Sequence, residues 1–125
     1  MIRSATAVLG SPRNGFPSIV AAGANSCTLH YTTNNSPVGP DDLVLLDTGA
    51  EVDYYGADVS RTYPASGRFT AAQRDVYSVV LEAQRQAIEL VRPGVRFIEV
   101  HQRALKVLVE GLRHLKVLSG TTAKL

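Results

Sequence analysis

Hydrophobic and polar positions change rhythm twice along this chain. Up to about Asp42, Gly, Pro, Ser and Asn recur too often for a helix and break the chain into short extended pieces. Two of these read as strands. Residues 18–22 (SIVAA) form an apolar run ended by Gly23, and residues 27–32 (CTLHYT) carry β-branched and aromatic side chains between Asn25 and Asn34-Asn35. After a turn-rich connection, residues 43–47 are apolar until Asp47, as expected of a strand covered on both faces. Gly49 and Gly56 bracket another strand-like stretch, 51–55, and residues 58–63 make a further one closed by Pro64, so the region predicts a β-meander. From Thr70 the period becomes helical. Val76, Val80, Ala83, Ala87 and Leu90 share one face, Thr70 with Gln73 forms a capping box, and Pro93-Gly94 stops the helix. A second helix follows with Ile98, Leu105, Leu108, Leu112 and Leu115 on one stripe and Gly120 as its end. The pattern predicts an α+β fold: a mostly antiparallel sheet over about 15–64, then amphipathic helices over about 70–92 and 97–118 covering one of its faces.

Composition narrows the function classes. A chain of 125 residues has room for one domain, and 45% hydrophobic with 19% charged residues is ordinary for a globular protein. Thirteen Lys+Arg against eleven Asp+Glu leave a net charge of +2 with no run of one sign, which argues against nucleic acid as a partner. The lone Cys27 excludes an internal disulfide and a cysteine-based zinc site, and suits a reducing compartment. No apolar run approaches the ~18–20 residues of a membrane span, and residues 1–10 are too short and polar for a secretory signal.

The candidate chemistry lies in two carboxylates. Asp47 ends an apolar strand, where a charge must give up water. Asp58 follows eleven residues later, and if the flanking strands pair antiparallel the two side chains can stand opposite one another, with Cβ atoms ~4.5–5.5 Å apart. Like charges that close need a proton or a cation between them. All-oxygen ligation favours manganese or magnesium. The alternative is that Asp47 caps a turn at Thr48-Gly49 and Asp58 one at Gly56-Ala57.

The wording around this pair resembles a known family. Asp47-Thr48-Gly49-Ala50 and the run from Gly56 to Pro64 (GADVSRTYP) are similar to the first metal-ligand motif of the pita-bread metallopeptidases. Ile19-Val20, Gly23-Ala24-Asn25-Ser26, Leu29-His30-Tyr31, Gly67-Arg68-Phe69-Thr70, Gln73-Arg74 and Arg92-Pro93-Gly94-Val95 extend the resemblance to the aminopeptidase P and prolidase branch, over about residues 15–118. The resemblance implies a partial pita-bread fold and a metal-dependent aminopeptidase hydrolysing the N-terminal Xaa-Pro bond. Its cofactors would be two divalent ions, commonly Mn2+, bridging a water or hydroxide. It implies Asp47 as bidentate ligand of one metal, Asp58 as bridge to both, and His30 as the residue that contacts substrate and stabilises the transition state. The implied partner is a peptide with proline at its second position. A homo-oligomer and a cytoplasmic, or else mitochondrial, setting are compatible with it.

The sequence also departs from that family. A complete member uses five metal ligands, adding a histidine and two glutamates from a second half of the fold. Here His101 and His114 lie on the second predicted helix, and Glu82, Glu89, Glu99 and Glu110 read as solvated helix-face charges. The expectation is therefore a central fragment of the catalytic domain, holding at most one weakly bound cation and inactive alone. A non-catalytic pita-bread module that binds peptide or protein is the competing reading, and an unrelated α+β domain with turn-capping aspartates a third. Arg61 reads as a surface residue, Tyr54 and Tyr55 as sheet packing, and Cys27 as a small buried side chain.

Overall fold

A computed structural model describes residues 6–120. The chain divides into two compact units, Met1–Phe69 and Thr70–Leu125.

The first unit is built from strands β1 (Arg13–Asn14), β2 (Ile19–Ala22), β3 (Leu43–Thr48), β4 (Ala50–Val52), β5 (Tyr55–Gly56) and β6 (Val59–Pro64), with a 3-10 helix at Gly23–Cys27. The apolar run becomes the central strand β3, flanked by β2 and β6, and all pairings are antiparallel. Its residues are half-buried along its whole length rather than fully covered. The buried hydrophobic side chains of this unit come from β2: Ile19, Ala21 and Ala22. A second small sheet has the order β1-β4-β5.

The two sheets share one hairpin. Leu43 faces Pro64, Thr48 faces Val59, Glu51 faces Gly56 and Val52 faces Tyr55, a single register without a slip. The chain reverses at Asp53 and Tyr54, with φ of 50° and 65°. Two successive left-handed residues make the type I′ turn, whose twist matches the flanking strands. Stretch 51–55 is thus a hairpin tip and not a strand of its own. Tyr54 and Tyr55 are exposed there instead of packing in a sheet, and Arg13 lies over the Tyr54 ring, 4.9 Å from its centroid.

Residues 27–32 also depart from expectation. Ser26 donates to the Gly23 carbonyl at 2.7 Å and the Thr28 amide to the Asn25 carbonyl at 3.0 Å. These local bonds close the 3-10 helix at Cys27, and residues 28–32 continue as bend, turn and loop in place of a strand, because short polar side chains compete for the backbone groups a ladder would use. Cys27 is exposed as a result.

In the second unit, α1 (Ala71–Leu90) and α2 (Phe97–His114) form the helices. The capping box stands as read: Thr70 Oγ1 accepts the Gln73 amide at 3.2 Å and Gln73 Oε1 accepts that of Thr70 at 2.9 Å. The covered stripe of α1 runs through Val79, Ala83, Ala87 and Leu90, with Ala83 buried, while Val76 and Val80 lie outside it and are exposed. α2 passes close to α1 at Gly111, where a Cβ would stand 2.4 Å from Val79 Cγ1. α2 ends at His114, well before Gly120. Lys116 takes the left-handed conformation (φ 58°), its amide bonds the Arg113 carbonyl and the Val117 amide that of Leu112, the Schellman pattern. A lysine in the position glycine favours hides this stop from a sequence reading. Among the described residues no helix is long and apolar enough to cross a membrane.

Candidate metal centre

The hairpin register decides how the two aspartates meet. Asp47 pairs with Ser60 on one side and with Ile19 on the other. Asp58 stands immediately before β6, two residues from Ser60, and successive side chains alternate across a strand, so Asp58 shares the face of Asp47. The Ala57 amide bonds the Ala50 carbonyl at 2.8 Å, which continues the register and leaves Gly49 across from Asp58. The aspartates are therefore diagonal neighbours, at a span of ~7–8 Å between backbones, and not directly opposed as the sequence suggested. The reason is the turn. Direct opposition needs the reversal at Val52-Asp53, and the I′ turn lies one residue later, which slides the register by two and preserves the face.

Asp47 Oδ1 is buried and has no hydrogen-bond partner. A buried carboxylate oxygen without a donor costs on the order of 1–3 kcal/mol, so an orphan of this kind calls for an explanation, and an ion is one. The polar groups one residue along the strands are engaged with each other: Asn14 Nδ2 donates to Ser18 Oγ at 3.1 Å, and Ser18 Oγ lies 2.8 Å from Thr48 Oγ1. Turn capping does not account for Asp47, which sits inside β3 with the chain reversal six residues away. Asp58 is exposed. One oxygen shielded from water beside a second, open carboxylate on the same face is a donor set that fits a hard divalent ion. Among the described residues no group of three or more His, Cys, Asp or Glu converges on such a site, so the two aspartates are what the strands offer.

Gly49, which the sequence marks only as a strand boundary and part of the motif, makes this geometry possible. A Cβ there would fall 1.6 Å from the Ala57 carbonyl oxygen and 2.9 Å from Phe16 Cε1. Only glycine allows the second arm of the hairpin to approach so closely between the two aspartates. Glycine after an aspartate at a strand end was the available signal.

His30 lies in a turn, exposed, with φ 54°, rather than on a strand. Glu82, Glu99 and Glu110 on the helices have local partners. Glu82 accepts from Gln86 Nε2 at 2.7 Å, and Glu110 lies 4.0 Å from Lys106. Glu99 accepts from Arg96 Nε at 2.8 Å, and this bond, together with the Arg96 amide, holds its carboxyl below the ordinary glutamate value. Arg61 is exposed and donates to the Ser60 carbonyl. At the hairpin tip, Arg13 bonds the Glu51 carboxylate, and that bond, with one to Tyr54, raises the guanidinium pKa above its ordinary value.

Residues 2–121 match the model of metallopeptidase family M24. The chain belongs to that family. As an M24 chain it is similar to the Xaa-Pro aminopeptidase of Haemophilus influenzae, with 43% identity over 105 residues, covering 84% of this chain and 24% of the relative. The structure superposes on Pseudomonas aeruginosa aminopeptidase PepP with a TM-score of 0.90 at 38% identity, covering 96% of this chain and 27% of that one. Escherichia coli aminopeptidase P gives a TM-score of 0.89 with the same identity and coverage, and has been solved zinc-substituted with product. It has also been solved as alanine variants at two aspartates eleven positions apart, the separation of Asp47 and Asp58. The M24 chain thus spans about a quarter of the length of the relatives it matches, and its antiparallel sheet followed by helices is the expected α+β layout.

Proposed function

We propose that this chain carries part of the catalytic metal site of an Xaa-Pro aminopeptidase, with Asp47 and Asp58 as carboxylate ligands and His30 as the substrate-facing group. The observation that carries the reading is the buried, partnerless Asp47 Oδ1 on the same sheet face as Asp58. The aspartate pair at equal separation in the E. coli enzyme supports it. The ion would be manganese, and the substrate a peptide with proline at its second position. When bound, such an ion polarises a carbonyl and makes water acidic enough to attack near neutral pH.

The chain's own residues prepare that site. β3, paired on both sides, holds the Asp47 carboxylate with one oxygen screened from water, and Gly49 lets Asp58 come alongside. Their combined negative charge attracts a cation and disfavours an anion. His30, exposed in its turn, is open to a substrate that approaches from solvent.

Calorimetric titration with manganese tests the reading. The chain should bind one ion weakly, and Asp47→Asn should weaken binding at least about tenfold, a difference of about 1.4 kcal/mol. Equal heats for the two proteins would defeat it. With no group of three or more His, Cys, Asp or Glu converging among the described residues, the chain alone should release no N-terminal residue from an Xaa-Pro peptide, as followed by chromatography of the products.

A further inference from the structure

His30 sits in a loop without regular structure, between the 3-10 helix and β3, and the loop is stitched to the sheet by one side chain. Asn34 Oδ1 accepts the Val20 amide at 2.7 Å, and its Nδ2 donates to the Ser18 carbonyl at 2.9 Å. These are outward-facing groups of the β2 edge, on either side of Ile19. A neighbouring strand would bond the same two groups, so the carboxamide stands in for one residue of an extra strand. It also occupies part of an edge that would otherwise be open to pairing with another chain.

The position of this stitch is specific. Ile19 is the β2 residue paired with Asp47, and Asp47 faces Ser60. The Asn34 amide, Ile19, Asp47 and Ser60 therefore form one row across the sheet, with steps of ~4.8 Å. Asn34 has φ 52°, a left-handed conformation asparagine tolerates better than most residues. Around Asn34 the loop is tied within itself, because the Tyr31 hydroxyl donates to Asn35 Oδ1 at 3.3 Å and lies 3.0 Å from Ser36 Oγ. Two anchors four residues from His30 thus fasten its loop to β2, the strand whose Ile19 pairs with Asp47.

We propose that Asn34 is a positioning residue, whose carboxamide clamps the His30 turn to the Ile19–Asp47 row of the sheet. The inference rests on the reading of Asp47, Asp58 and His30 given above. Asn34 touches neither aspartate, so it acts through the loop. Because its bonds are exposed, removing them should loosen the loop and leave the sheet intact.

The test is NMR of the full chain titrated with Mn2+, whose unpaired electrons broaden nearby signals. In the unmodified chain the amides of Leu46 and Ser60 and the His30 ring protons should all broaden. In Asn34→Ala, Leu46 and Ser60 should broaden at the same Mn2+ concentration, while His30 broadening falls several-fold and exchange of the Val20 amide speeds about tenfold, the loss of one hydrogen bond. Asn34→Asp keeps the acceptor for Val20 and should restore part of both effects. A joint loss of Mn2+ affinity and His30 broadening in Asn34→Ala would mark a purely structural contribution and overturn the clamp. His30 broadening that is unchanged in Asn34→Ala, or absent from the unmodified chain while Leu46 and Ser60 broaden, would overturn the clamp and leave the metal site standing. Absence of broadening at all three would overturn the metal reading and the clamp with it.

Discussion

The two units of this chain locate their residues by different rules. In the strand unit a residue's place follows from backbone register: Asp47 faces Ser60 because a two-residue turn at Asp53-Tyr54 leaves no other pairing of β3 with β6, and it faces Ile19 through the separate register of β2 with β3. In the helical unit a residue's place follows from a side-chain stripe, and only Ala83 of α1 is buried among the described residues of that unit. An error of one residue moves a carboxylate across the sheet in the first case. In the second it rotates a helix by part of a turn and exchanges one half-covered valine for another. The candidate chemistry lies in the unit where position is discrete.

Gly49→Ala should break that contrast most severely. The added methyl meets a backbone carbonyl, which cannot rotate away as a side chain can, and a loss of about 3 kcal/mol or more is expected. Hydrogen exchange would show it as lost protection in β3, at Leu45 and Asp47, with Ala83 of α1 still protected. Equal loss in both units would mean that the helices depend on the sheet.

Gly111→Ala is the matching change in the helical unit. Its methyl meets Val79 Cγ1 at 2.4 Å and Cγ2 at 2.7 Å, but Val79 is a side chain that can move. The cost should be smaller, about 1–2 kcal/mol by thermal melting, and manganese binding should be unchanged. A Gly111 variant as damaging as Gly49→Ala would contradict the division drawn between the units.

Thr70→Ala should cost about 1 kcal/mol by removing one half of the capping box, and Thr70→Ser should keep most of it. Helical circular dichroism through a thermal melt measures both.

The smallest effect is the pH response of Glu99. Its folded pKa lies below the ordinary value because of Arg96. The stabilisation is then complete above the unfolded glutamate's value and is lost as pH falls through the folded one. Glu99→Gln should remove that acid-side decline in α2 helicity. The pair is exposed, so added salt should also blunt it.

Legibility followed the same division. The period of α1, the capping box at Thr70 and the apolar run of β3 were all readable, since each is a local pattern with a local cause. Residues 27–32 looked like a strand by composition, yet bonds of Ser26 and the Asn25 carbonyl end a 3-10 helix at Cys27 and the rest continues as turn and loop. The tip at Asp53-Tyr54 lacked the glycine that marks most I′ turns, so the hairpin's register was misjudged by two. Lys116 likewise ended α2 in a conformation usually signalled by glycine.

By itself the amino-acid order determined the central strand, its β6 partner and the two helices, and that Asp47 would sit where a carboxylate is costly, because alternation, periodicity and desolvation act within a few residues. Only the tertiary structure decided that Asp47 and Asp58 lie diagonally on one face, that Gly49 admits the opposite backbone between them, and that Asn34 reaches back to β2. Those facts join residues from eight to sixteen positions apart in sequence, and they depend on where the chain turns.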